Sequence, residues 1–155
     1  MSKTNDMTIK YRISCDNNDI DTEKVYSFIS DSYWAKGLPR PVFDKAINNS
    51  LCFSVIQASG TNVGVQVGFA RMITDKAIFA YLADVFILPD HRGQGLSKQL
   101  IKFIKEHHEL QGLRRVVLAT ADAHQLYRQF DFTPLHNPEY FMEVWQPKVY
   151  QNNLD

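Results

Sequence analysis

Polar and apolar residues alternate along TIKYRIS, Thr8 to Ser14, the pattern of a strand with one buried face, and a polar turn follows. Beyond that turn the period changes. Asp21 has the side chain of an N-cap, and Ile20 and Val25 flank it at the spacing of a hydrophobic staple, so a helix is predicted from there to about Tyr33. Pro41 suits the first turn of a second, short helix ending near Asn49, which leaves SYWAKGLPRP, Ser32 to Pro41, as the loop between the two. Three strand-like runs come next, Leu51 to Ala58, Val63 to Thr74 and Ala77 to Leu88, separated by SGTN and by Asp75-Lys76, which predicts an antiparallel meander. Leu96, Leu100, Phe103, Ile104 and His107 then recur at helical spacing, with Gly112 as a stop. Arg115 to Ala119 reads as a strand, Ala121 to Phe130 as a helix and Tyr140 to Trp145 as a final strand, so the C-terminal half is βαβαβ-like.

Composition narrows the function classes. The chain has 155 residues, 45% of them hydrophobic, enough for one domain with its own core; the polar lead at residues 1–7 is expected to be disordered. Seventeen basic and seventeen acidic residues cancel, so no overall field draws the protein to nucleic acid or to an anionic membrane. The apolar runs are strand-sized and interrupted, and the start MSKTNDMTIK has no signal-peptide core, which together point to the cytoplasm. Cys15 and Cys52 form no CxxC pair and are expected to be reduced, small and buried. His107-His108-Glu109 lacks the HExxH spacing, so it is expected to be a solvated helix end and no metal is implied.

The chemistry concentrates in ADVFILPDHRGQGLSK, residues 83–98, where an apolar strand runs into two glycines. A Walker A loop needs GxxxxGK followed by Ser or Thr, and GQGLSK has neither that spacing nor that ending. A dinucleotide fingerprint needs a third glycine where Lys98 stands, and an acidic residue after the next strand, where Thr120 stands. What remains is a strand, a loop of free backbone N–H groups and a helix N-terminus, which suit a diphosphate because glycine lets the backbone approach closely.

On these residues the chain resembles the GNAT superfamily of acetyl-CoA-dependent N-acetyltransferases over nearly its whole length. The family's R/Q-x-x-G-x-G/A motif, after a strand ending in V-x-P, is met by Ile87, Leu88 and Pro89 leading into Arg92, Gly95 and Ser97, with Ser97 in place of Gly or Ala. Its second mark, A-x-x-L/F-Y followed by G-F, is met by Ala123, Leu126, Tyr127 and Phe132; Asp131 stands where the glycine is usual, and Thr120 where Asn is common. The resemblance implies an α/β fold with a mixed, mostly antiparallel sheet of six to seven strands, splayed at its centre and flanked by about four helices. It implies acetyl-CoA as co-substrate, with Val85, Phe86 and Ile87 pairing with the pantetheine arm and Gly93, Gln94, Gly95, Leu96, Ser97 and Lys98, with Arg92, cradling the diphosphate. Tyr127 matches the family's general acid for the departing thiolate. The acceptor implied is a primary amine on a small molecule or a peptide, and a homodimer is left open.

Amide formation needs a neutral amine, and for a lysine of pKa ~10.4 reaching that form at pH 7 costs about 4–5 kcal/mol. Asp84, just before the cofactor strand, resembles the amine-contacting carboxylates of polyamine acetyltransferases and could bind an ammonium or relay its proton; the alternative is a carboxylate paired with an arginine. His124, one turn from Tyr127, is a second relay candidate. In the family the loop after the first helix walls the acceptor pocket, which makes Tyr33, Trp34 and Arg40 substrate candidates, Arg40 as a clamp for an acceptor carboxylate. Cys15 and Cys52 lie far from the motifs, so direct transfer is expected over an acetyl-cysteine. A coenzyme A-binding module without turnover is the alternative from another class.

Overall fold

The computed structural model describes residues 8–151; the polar lead at residues 1–7, expected to be disordered, lies outside the described residues. Strand β1 is Tyr11–Ser14, and helix α1, Thr22–Asp31, starts at Asp21, whose carboxylate accepts the N–H of Lys24 at 3.2 Å. Helix α2 is Arg40–Asn48, with Pro41 in its first turn. The meander is β2, Leu51–Gln57, β3, Gln66–Thr74, and β4, Phe79–Ile87. Asp75 shapes the β3–β4 turn by accepting the N–H groups of Ala77, Ile78 and Phe79. Helix α3, Leu96–Glu106, strand β5, Arg115–Leu118, and helix α4, His124–Arg128, complete the domain.

The strands are ordered β1-β2-β3-β4-β5, antiparallel throughout except for the parallel β4–β5 pair. Helices cover both faces. On one, Leu96, Leu100, Ile101 and Ile104 of α3 pack with Phe53, Val55 and Val67; on the other, Val25, Ile29, Phe43 and Ile47 of α1 and α2 pack with Cys52, Phe69 and Phe86. Burial on both faces is why β2 reads as an apolar run interrupted only by Ser54 before Gln57 ends it, instead of alternating. Gly68 sits where three strands crowd: a Cβ there would lie 2.6 Å from Ile87 Cδ1, 3.0 Å from Phe86 O and 3.1 Å from Val55 Cβ. Gly68→Ala should therefore destabilise the protein by about 1–3 kcal/mol, read as the shift in a urea midpoint at unchanged slope.

Several expectations need correction. Among the described residues the sheet has five strands, because Tyr140–Trp145 forms none. A strand needs a ladder partner as well as apolar side chains. Here Phe141 is held at the start of β5, its ring 4.8 Å from the Arg115 guanidinium, and Tyr150 packs on the α1/α2 core. The chain between pairs with neither and leaves Met142 and Val144 almost fully exposed. Helix α4 starts late because Thr120 Oγ1 accepts the N–H groups of Asp122 and Ala123, holding a turn ahead of it. It ends at Arg128, short of the expected Phe130, and just beyond it Asp131 takes the left-handed conformation (φ 69°) that suits a glycine while the Phe132 N–H donates back to Tyr127 O. Of the cysteines only Cys52 is buried, and burial lifts its thiol to a pKa of about 11; Cys15 is exposed.

His107 is also buried, not solvated. It lies edge-on to Phe53, and its Nδ1 accepts the Glu109 N–H at 3.2 Å. Burial first, and His108 second, hold its pKa below the ordinary histidine value of 6.5. The unfolded chain then binds the extra proton more readily, so this group's stabilisation is present above that value and lost as pH falls through the lowered folded pKa. Between about pH 7 and about pH 5.5, the melting temperature should fall more in the wild type than in His107→Gln.

Candidate active site

The site begins where two strands part. Strands β4 and β5 stay in register from Phe79–Arg115 to Leu82–Leu118; β5 then ends and β4 runs on to Ile87 with no partner on that side. The β3–β4 register slips at the same level, Phe69 opposing Phe86 while Arg71 opposes Ala83. The extra residue is taken up at Asp84, whose backbone is left-handed (φ 55°). Such a bulge re-aims a strand. Its carboxylate is held on both sides: Arg71 Nε donates to Oδ2 at 2.5 Å and Trp34 Nε1 donates to Oδ1 at 2.8 Å, while Arg71 Nη1 also donates to Ser50 Oγ at 3.1 Å. Asp84 is thus the paired carboxylate of the two alternatives, with a nearly buried side chain.

Parity then sets which backbone groups face the gap. The Leu88 N–H donates to Val67 O, so Phe86, two residues earlier, also points toward β3, and Val85 and Ile87 point to the parted side. The Ile87 carbonyl there accepts Arg92 Nε at 2.9 Å, and β5, whose pairing stops at Leu118, offers no partner on that side to the N–H groups of Val85 and Ile87.

The gap leads into the glycine loop. A 3-10 turn at Pro89–His91 delivers the chain to Gly93 (φ 77°) and Gly95 (φ 76°), the latter capping α3. Both need the left-handed region, which glycine enters without steric cost. The N–H groups of residues 93–98 make no hydrogen bond to another described residue; the first helical bond runs from the Gln99 N–H to Gly95 O. A Cβ built on either glycine meets nothing within 4 Å. Leu96 is buried in the core and leaves only its backbone at the cradle, Ser97 lines the cleft and Lys98 is exposed. The Gln94 side chain is turned toward Tyr11, whose hydroxyl also bonds His91 Nδ1 at 2.8 Å. Open space, a row of free donors, the positive end of α3 and the Arg92 guanidinium fit a diphosphate.

Tyr127 stands across the cleft. It is buried, packs edge-on to Phe132 and lines the same cavity of about 880 Å³ as Asp84, Val85, Arg92 and Ser97. Burial, then the neighbouring Tyr33 phenol and the Asp122 carboxylate, push its pKa up to about 12, so the phenol stays protonated at neutral pH. Its hydroxyl has no hydrogen-bond partner among the described residues. Tyr33 and Trp34 line the far wall, rings edge to face at 5.2 Å. Two candidates lie elsewhere. Arg40 is clasped by Glu23 and Asp44 over the rings of Tyr26 and Phe43 and does not line the cleft. His124 lines a smaller cavity of about 350 Å³ beside Tyr127. Arg71, Tyr81 and Tyr150 line the cleft without having been singled out in the sequence; a cation in the middle of VGFARMI was the one signal available, for Arg71.

Among the described residues no group of three or more His, Cys, Asp or Glu side chains is placed to hold a metal ion, and no helix is long and apolar enough to cross a membrane.

A parted sheet, a backbone cradle and a phenol on one cleft define the acetyl-transfer architecture that the motifs resemble. The chain belongs to the GNAT acetyltransferase family: residues 49–134 match the model of the acetyltransferase (GNAT) domain. A candidate acetyltransferase of Gibberella zeae is 34% identical over 148 residues, covering 78% of this chain and 82% of that protein. A candidate GNAT-family acetyltransferase of Xanthomonas campestris shares its structure with a TM-score of 0.84 at 45% identity, covering 91% of this chain and 96% of that one. The fold also matches a candidate acetyltransferase of Clostridium acetobutylicum solved with acetyl-CoA, TM-score 0.61 at 15% identity, over 88% of this chain and 96% of that one.

Proposed function

We propose that the protein acetylates a primary amine with acetyl-CoA by direct attack in a ternary complex. The observation that carries this reading is the placement of the parted edge of β4, the glycine cradle and Tyr127 around one cleft. Residues 93–98 and Arg92 would hold the diphosphate, and the parted edge at Val85 and Ile87 would hold the pantetheine arm; the co-substrate supplies an acetyl group activated as a thioester.

This chain's residues then do three things. The edge N–H groups of β4 fix the acetyl carbonyl where its oxygen gains negative charge, a preorganised donor that needs no reorientation during reaction. Tyr127, protonated and free to donate, gives its proton to the leaving sulfur. The walls formed by Tyr33, Trp34 and the Asp84 bulge place the amine at the open side. Because the Asp84 carboxylate is already shared by Arg71 and Trp34, an acceptor ammonium would compete with Arg71 for it, and loss of the amine proton to water is the simpler route.

Direct transfer leaves the protein unmodified. Cys52, the buried thiol, has a raised pKa and is a poor nucleophile at neutral pH. Intact mass of the protein after incubation with acetyl-CoA alone should be unchanged. A protein heavier by one acetyl group that passes to an added amine would replace the ternary-complex route with a covalent one.

A further inference from the structure

The sequence offered Arg40 as a clamp for an acceptor carboxylate, and the structure distributes charge differently. Among the described residues, the charged side chains lining the cleft are Arg71, Arg92, Asp84 and Asp122. Arg71 is neutralised by Asp84 at 2.5 Å, and Arg92 belongs to the glycine loop, with its Nε on Ile87 O. Of the neighbouring cations, Lys36 is paired with Asp31 and Arg40 with Glu23 and Asp44, and Lys45 of α2 does not line the cleft. What the acceptor side presents instead is aromatic: Tyr33 and Trp34 from the loop after α1, Tyr81 from β4, and Tyr150 from the far end of the chain.

Resting on the reading of the protein as an amine acetyltransferase, we propose that its acceptor is a small primary amine carried on an uncharged apolar body, without a carboxylate or a phosphate. An anionic group entering this half of the cleft loses its water and, among the described residues lining it, meets no unpaired cation outside the glycine loop, a cost that binding cannot return. An ammonium, by contrast, is attracted to ring faces and to Asp122 before it gives up its proton. An apolar body gains by covering the rings, and the cavity, about 880 Å³ for donor arm and acceptor together, is the size of a small-molecule site. A peptide is the poorer fit. An extended chain is gripped by a free strand edge, and the edge in this cleft, at Val85 and Ile87, is the one assigned to the pantetheine arm.

The test pairs phenethylamine with phenylalanine, which differ by the carboxylate alone, and adds spermidine and a lysine-bearing peptide. Two readouts are taken: thiol release from acetyl-CoA, and binding to the coenzyme A-loaded protein followed by tryptophan fluorescence, since Trp34 is one of two tryptophans. Phenethylamine should exceed each of the others by about tenfold or more in kcat/KM and in affinity. In Trp34→Leu, KM for phenethylamine should rise by more than kcat falls, since the ring covers the apolar body and takes no part in the chemical step. Phenylalanine, spermidine or the peptide matching phenethylamine in either readout would overturn the proposal. Binding with the expected preference but no thiol release would retain the acceptor class and remove the transfer reading; thiol release with the preference reversed would do the opposite.

Discussion

Replacing Tyr127 by phenylalanine should lower turnover by ~10²–10⁴ while leaving coenzyme A affinity almost unchanged. The ring stays in its buried place against Phe132, and the hydroxyl that is lost has no partner among the described residues, so neither fold nor cleft shape gives a reason for the loss. What disappears is a proton donor whose pKa, near 12, keeps it charged with its proton across the working range. A thiolate leaving without a proton is the costly event, and the effect should therefore fall on kcat. A loss under about threefold, with the chemical step shown to be rate-limiting, would make water or another group the acid.

Gly95→Val should abolish coenzyme A binding. Two effects act together and can be separated. A β-branched residue at φ 76° is strained by about 1–3 kcal/mol, and its side chain points into the space where the diphosphate would rest. Gly95→Ala carries less strain and still places a methyl group in that space, where no protein atom lies within 4 Å to deflect it. Both variants should remain folded by circular dichroism, and calorimetry should show affinity lost in valine and clearly weakened in alanine. Near-normal affinity in folded Gly95→Val would move the diphosphate away from this loop.

The parts of this site legible in the sequence are those set by backbone and by neighbours along the chain. Gly93 and Gly95 could be read because only glycine adopts their conformation cheaply, and the cradle they shape is made of N–H groups that every residue carries. The meander was legible from its turns, since Asp75 and the SGTN stretch close hairpins by local hydrogen bonds. The strand expected at Tyr140–Trp145 failed because pairing depends on where an edge lies, which local propensity does not encode. The Arg71–Asp84 pair was hidden for a related reason: a one-residue bulge decides which β3 side chain meets Asp84. Arg40 is different, because Asp44 lies four residues on in the same helix, and that i,i+4 pairing was available to compete with the carboxylate clamp.

The most direct measurement is amine-dependent release of coenzyme A thiol from acetyl-CoA, with the N-acetylated product quantified by mass spectrometry in the same samples. The account predicts that thiol and amide appear together, one for one, that both vanish without amine, and that both fall in Tyr127→Phe. Tight binding of acetyl-CoA with no amide formed from any amine offered would contradict it, and would make the protein a coenzyme A-binding module that has kept the cleft without the reaction.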